Sequence, residues 1–105
     1  VITQESGNEV MVREARAAQA AASARVAEGV AKEATSNATL CLAQGEALLA
    51  EAWVNVARAA VDVARGHVLE AHAAFPGSRE ERAARQAADR AEGCVLQAAG
   101  VGRRD

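Results

Sequence analysis

Aromatic residues are almost missing from this 105-residue chain, which has one tryptophan (Trp53), one phenylalanine (Phe75) and no tyrosine. With no aromatic interleaved among the arginines of residues 79–92, and with a formal net charge of −2, the chain lacks both ingredients of a nucleic-acid surface. The longest uncharged run covers residues 34–45, far short of the ~20 apolar residues that span a bilayer. Nothing reads as a transmembrane helix or an intact signal peptide, and with Val1 in place of an initiator methionine the expectation is that processing or deliberate trimming removed what came first. Cysteine is limited to Cys41 and Cys94, with no CxxC or HxxxH spacing for zinc. Glycine-rich phosphate loops and serine nucleophile elbows are also missing, so no cofactor, metal or catalytic motif is expected.

What the chain has instead is alanine, 29 residues of it, against 22 bulkier apolar side chains. Alanine, glutamate and arginine favour helix, and no stretch alternates apolar with polar long enough to make a strand. The expectation is a single all-α domain over residues 1–105, an antiparallel three-helix bundle with alanine-rich close packing. Its helices are placed at roughly 7–34, 38–75 and 79–99, with short tails at 1–5 and 100–105. Two serine-x-x-glutamate capping boxes, Ser6–Glu9 and Ser78–Glu81, mark helix starts, the second just after Pro76-Gly77. Thr35-Ser36-Asn37 is taken as the first turn, because these side chains compete for backbone partners. Gly66 is where the middle helix would break.

Within the middle segment two apolar rows recur every seven residues: Leu42, Leu49, Val56, Val63 and Val54, Val61, Val68, Phe75. Two rows about 120° apart call for two partner helices. The complementary faces are read as Ala15, Ala18, Ala22, Val26 and Val30 on the first helix, and Ala84, Ala87, Ala91, Val95 and Ala98 on the third. Arg13, Glu14, Arg25, Glu28 and Lys32 then fall on solvent. The four arginines and four acids of residues 79–92 form a self-paired solvated surface.

Candidate chemistry is sparse. Cys41 and Cys94 are candidates for a disulfide or for two free thiols; a straight hairpin keeps them apart, so a bond needs the break at Gly66. Asn37-Ala38-Thr39 matches the N-glycosylation acceptor pattern in the expected turn. Trp53 is a core residue by its place beside the Leu49 row, with an interaction anchor as the sharper alternative. His67 and Glu70 share a helix side but lack the further ligands a bundle metal site needs, and Glu33, Glu46 and Glu70 fall near apolar faces. The expected function is protein–protein binding without catalysis, by a small secreted or cell-surface helical bundle that meets a protein partner or a target-cell surface component. The alternatives are a secreted membrane-acting toxin or effector whose apolar middle helix inserts, a role its Glu51, Arg58, Asp62 and Arg65 disfavour, and a self-associating structural subunit or homo-oligomer.

Overall fold

The computed structural model describes residues 2–103, and the side chains of residues 7–98. Three helices, α1 (Ile2–Ala43), α2 (Ala47–Ala74) and α3 (Arg79–Arg103), each antiparallel to the one before it so that α1 and α3 run parallel, pack pairwise into a rod whose Cα extents are 66 × 17 × 13 Å. The protein is an all-α three-helix bundle, and no strand occurs among the described residues.

The first turn lies nine residues beyond the Thr35-Ser36-Asn37 cluster, so the expected boundaries at 34 and 38 are wrong. Thr35 and Thr39 satisfy their hydroxyls inside the helix, donating to the carbonyls of Lys32 (2.9 Å) and Thr35 (3.0 Å), and the backbone continues undisturbed. Termination comes from Gly45, at φ +78°. The Glu46 N–H donates to the Cys41 carbonyl at 2.8 Å and the Gly45 N–H to that of Leu42 at 3.0 Å, the paired bonds of a Schellman motif. Nor does a helix begin at Ser6–Glu9, because α1 already runs from Ile2. Residues 2–5 and 100–103, expected as tails, are helical; Val1, Arg104 and Asp105 lie outside the described residues. α2 passes through Gly66 without a break.

The second turn is where the sequence places it. Pro76 and Gly77, the latter at φ +73°, occupy the central positions of a turn closed by Ser78 N–H to the Phe75 carbonyl at 3.3 Å. Ser78 Oγ then accepts from the Glu81 N–H at 3.0 Å, as a capping box requires. Glu81 reaches one residue further back than the motif predicts, to the N–H of Gly77 at 2.6 Å. Arg13 ties α1 to this corner: its Nε donates to the Ala74 carbonyl at 3.0 Å and its guanidinium lies 5.1 Å from the Phe75 ring centroid. The part of α1 before Arg13 runs on past the turn.

The interior is built from methyl groups. Ala17, Ala24, Ala31 and Ala38 repeat every seven residues on α1, alongside Ala20, Ala27, Ala34 and Cys41; Ala50, Ala57, Ala64 and Ala71 do so on α2, and Ala84, Ala91 and Ala98 on α3. All the buried apolar residues among those described are alanine except Cys41, Val68 and Val95. The layers are visible directly, as Ala31 with Ala60 and Ala91, then Ala34 with Ala57 and Val95. Small side chains at the 3-4 positions let backbones approach closely, and a helix pair that has approached this far has no room for leucine between its axes.

This arrangement overturns two expected faces and keeps a third. Ala84, Ala87, Ala91, Val95 and Ala98 are all buried. On α1, however, Ala15, Ala18, Ala22, Val26 and Val30 face solvent, and the neighbouring line of alanines is inside. The chosen line carries two valines, whereas the buried one stays small for eight positions and holds a closer approach. On α2 the Val54 row turns inward, with Val68 buried and Val54, Val61 and Phe75 half-buried. The Leu42 row turns outward: Leu49, Val56 and Val63 are exposed.

Interior and exterior substitutions should therefore behave opposite to the usual rule. Ala64→Leu, at a fully buried position, is expected to destabilise by roughly 3 kcal/mol through overpacking, and Val56→Ala to change stability by no more than about 0.5 kcal/mol. Urea denaturation followed by circular dichroism measures both, and a larger loss for Val56→Ala than for Ala64→Leu would refute the alanine interior.

Candidate functional site

Besides the Arg13 contact, three polar clusters join the helices among the described residues. Glu28 projects from α1 towards α3 on the same stripe as Ala21 and Thr35, and it is buried. Its carboxylate accepts from Arg90 Nε at 2.8 Å and Arg90 Nη2 at 3.0 Å, a two-pronged bond across the bundle, and pairs with Lys32 Nζ at 2.9 Å. The Arg90 bonds, reinforced by Lys32 against the opposing effect of burial, hold the Glu28 carboxyl down at about 2. Arg65 of α2 donates to Asp89 at 2.8 Å and to Glu92, joining α2 to α3. At the second turn the buried Glu81 also accepts from Arg85 at 2.9 Å and contacts His72 Nδ1 at 2.9 Å. The Gly77 N–H is the main cause that lowers its carboxyl below the usual range, with Arg85 and His72 adding to it.

The acids expected near apolar faces are not the buried ones. Glu33, Glu46 and Glu70 are exposed, while Glu28, expected on solvent, is inside together with Glu81. The heptad of Ala21, Glu28 and Thr35 carried that signal. The α3 surface is likewise only partly self-paired: Glu81 and Arg85 bond to each other, but Asp89 goes to Arg65 and Arg90 to Glu28.

Cys41 is buried and Cys94 half-buried, and both are free thiols. Ala34 and Val95 share a layer, which leaves Cys41 about seven residues, roughly 10 Å, beyond the level of Cys94. The unbroken α2 removes the slide that a bond would need. Asn37 sits inside α1 and not in a turn, with Ala38 beside it fully packed. Trp53 is half-buried against the Ala34, Ala57 and Val95 layer. His67 Nδ1 lies 3.4 Å from Glu70 Oε2 without making a hydrogen bond. Among the described residues no three metal-ligating side chains converge, and no helix is long and apolar enough to cross a membrane.

The site that sequence reasoning missed is the outward Leu42 row and what lies beside it. α3 covers one side of the α1/α2 pair; the opposite side is open. There a groove of about 360 Å³ runs between the two helices, lined by Ser23, Val26 and Val30 of α1 and Ala60, Val63 and His67 of α2. By helical spacing Leu49 and Val56 extend the same stripe along α2, and Leu40 extends it along α1. Val26 is 68% exposed, Val63 53% and Val56 42%. This row of exposed apolar side chains makes the open face the candidate interaction surface. The signal was present in the seven-residue spacing of Leu49, Val56 and Val63, but large apolar residues were assigned to the core by default.

Searches of family models, of curated proteins and of solved structures each found no match to this chain.

The Glu28 contact generates a pH prediction. Its carboxyl titrates near 4.5 when unconstrained and near 2 in the bundle, so its stabilisation is complete above about pH 4.5 and drains away as pH falls towards 2. Because Arg90 and Lys32 are half exposed and screened, Glu28→Gln should cost about 1 kcal/mol at pH 7, or roughly 4–8 °C in Tm. Thermal melts at pH 7 and pH 2.5 should show the wild type and Glu28→Gln converging in acid; an equal gap at both values would contradict the assignment.

Proposed function

We propose that this chain is a non-catalytic binding protein whose open α1/α2 face docks on an apolar helical surface of another protein molecule. One observation carries the reading: the bundle buries mostly methyl groups and leaves most of its large aliphatic side chains outside, and three of these, Val26, Val30 and Val63, line a groove on the side that α3 does not cover. Leucine and valine exposed in a continuous stripe lose their hydration cost only when something covers them, at roughly 25 cal/mol for each Å² removed from water.

The absence of catalysis in this reading is supported by the state of the buried acids. Glu28 and Glu81 are held ionised by arginine and by a backbone N–H, and a carboxylate so engaged is poorly suited to exchange protons near neutral pH. A membrane-inserting middle helix draws less support, because α2 carries Glu51, Arg58 and Asp62 on its exposed surface and no helix among the described residues is long and apolar enough to cross a membrane. With both thiols unbonded and Asn37 inside a helix, the reading rests on the open face and not on an extracellular setting.

A photo-crosslinking side chain placed at Val63, with a control at Gln86 on the outer surface of α3, tests this in the native source. Protein adducts are expected from position 63 and not from position 86. Equal yields at the two positions, or none at either, would count the face as ordinary surface.

A further inference from the structure

We infer that the occupant of the open face is a second copy of this chain, packed antiparallel about a two-fold axis. The inference rests on the reading of that face as the binding surface and adds the identity of the partner. It is carried by the pattern along the outer side of α2, by two glycines and by area.

Leu49, Ala52, Val56, Ala59, Val63 and Gly66 recur at alternating intervals of three and four, the spacing of a helix-packing seam. They form a second seam on α2, facing away from the Ala50, Ala57, Ala64 and Ala71 line that the bundle buries. Large and small residues alternate along it. In an antiparallel pair the positions of one kind face those of the other kind, so each leucine or valine of one copy meets an alanine or glycine of its mate. A parallel pair would set valine against valine and glycine against glycine. The surface is therefore complementary to itself in size, as a two-fold interface requires.

Gly66 is part of this seam, and Gly29 lies beside Val26 on the outer side of α1. A methyl group added at either would meet open space within the bundle. Each glycine costs its helix about 1 kcal/mol relative to alanine, and, as at Gly93 on α3, no contact inside the monomer calls for it. At Gly66, which lies in the seam, close approach of another helix would.

The flanks continue the apolar surface, since Leu48 is 84% exposed and Leu69 70%. From Leu48 to Leu69 the face is about 32 Å long, and two helices make it about 20 Å wide, or about 600 Å² from each copy. That is close to a tenth of the 6837 Å² surface, and about 1,200 Å² in total lies within the range of specific interfaces.

Sedimentation equilibrium of the full chain, from low micromolar to near-millimolar concentration, is expected to show a monomer–dimer equilibrium. Val56→Glu with Val63→Glu should raise the dissociation constant at least about a hundredfold and leave monomer helicity unchanged, because both side chains lie outside the bundle. Gly66→Leu separates the two roles of that residue: the melting temperature should rise through helix propensity, and dimerisation should weaken at least about tenfold. Orientation is read by spin labels on Leu48→Cys in a background lacking Cys41 and Cys94. An antiparallel pair holds the labels roughly 30 Å apart, whereas a parallel pair would bring them side by side and overturn the proposal. It is also overturned by a monomer at every concentration, by a dimer indifferent to the Val56 and Val63 changes, or by a monomer that binds phospholipid vesicles through this face. If the chain is monomeric while position 63 still captures a different protein, the second-copy inference fails and the binding reading survives; loss of both removes both.

Discussion

The distance between helix axes governs this molecule. Alanine at nearly every inward position brings three backbones so close that larger side chains have no interior to occupy. The larger apolar exceptions are few: Val68 at the second-turn end, Val95 beside Trp53, and Cys41 near the first turn. Once the axes are fixed at that spacing, the outward placement of Leu49, Val56 and Val63 is a consequence and not a separate choice. A slim interior and a bulky exterior are one property seen from two sides.

Alanine layers hold helices together without saying where along their length they should meet. A seven-residue slip of α3 against α1 would still set methyl on methyl, so apolar packing discriminates weakly between registers. We attribute the register to the polar contacts. Glu28 meets Arg90 only in one alignment of α1 with α3, and Arg65 meets Asp89 and Glu92 only in one alignment of α2 with α3. Arg13, bound to the end of α2 and stacked on Phe75, fixes α1 against the second turn. Single charged contacts of this kind contribute modest stability where their partners are half exposed, and their larger effect is to exclude alternatives.

The helical class, the count of helices and the second turn were legible because each rests on residues with one dominant behaviour. Pro76-Gly77 followed by Ser78 and Glu81 admits few backbones, and the α3 face was legible because its arginines and acids leave only one apolar line. α1 offered two alanine lines, and alanine is tolerated on either side of a helix, so periodicity alone did not choose between them. The first turn was misplaced for a related reason: threonine can bond to the carbonyl one turn behind it as readily as it caps a helix, whereas Gly45 supplies a backbone angle that other residues resist. The open face escaped notice because large apolar residues usually sort inward, a rule that fails when the interior is too narrow to accept them.

The two sides of the α1/α2 pair then stand in an instructive relation. On one side α3 lies across the pair, carrying alanines inward and a dense set of charges outward, and it completes one interior. On the other side α2 repeats the same three-and-four spacing, with Ala52, Ala59 and Gly66 alternating with Leu49, Val56 and Val63, and nothing among the described residues completes it. A soluble helix gains by carrying polar residues there, and α2 does so on its remaining surface with Glu51, Arg58 and Asp62. Glycine within that open stripe is harder still to reconcile with solvent, since it weakens the helix and covers nothing. Large aliphatic residues alternating with alanine along an uncovered seam that ends in Gly66 have the composition of a contact between close-packed helices, and the bundle itself provides the nearest example of a surface that would fit it.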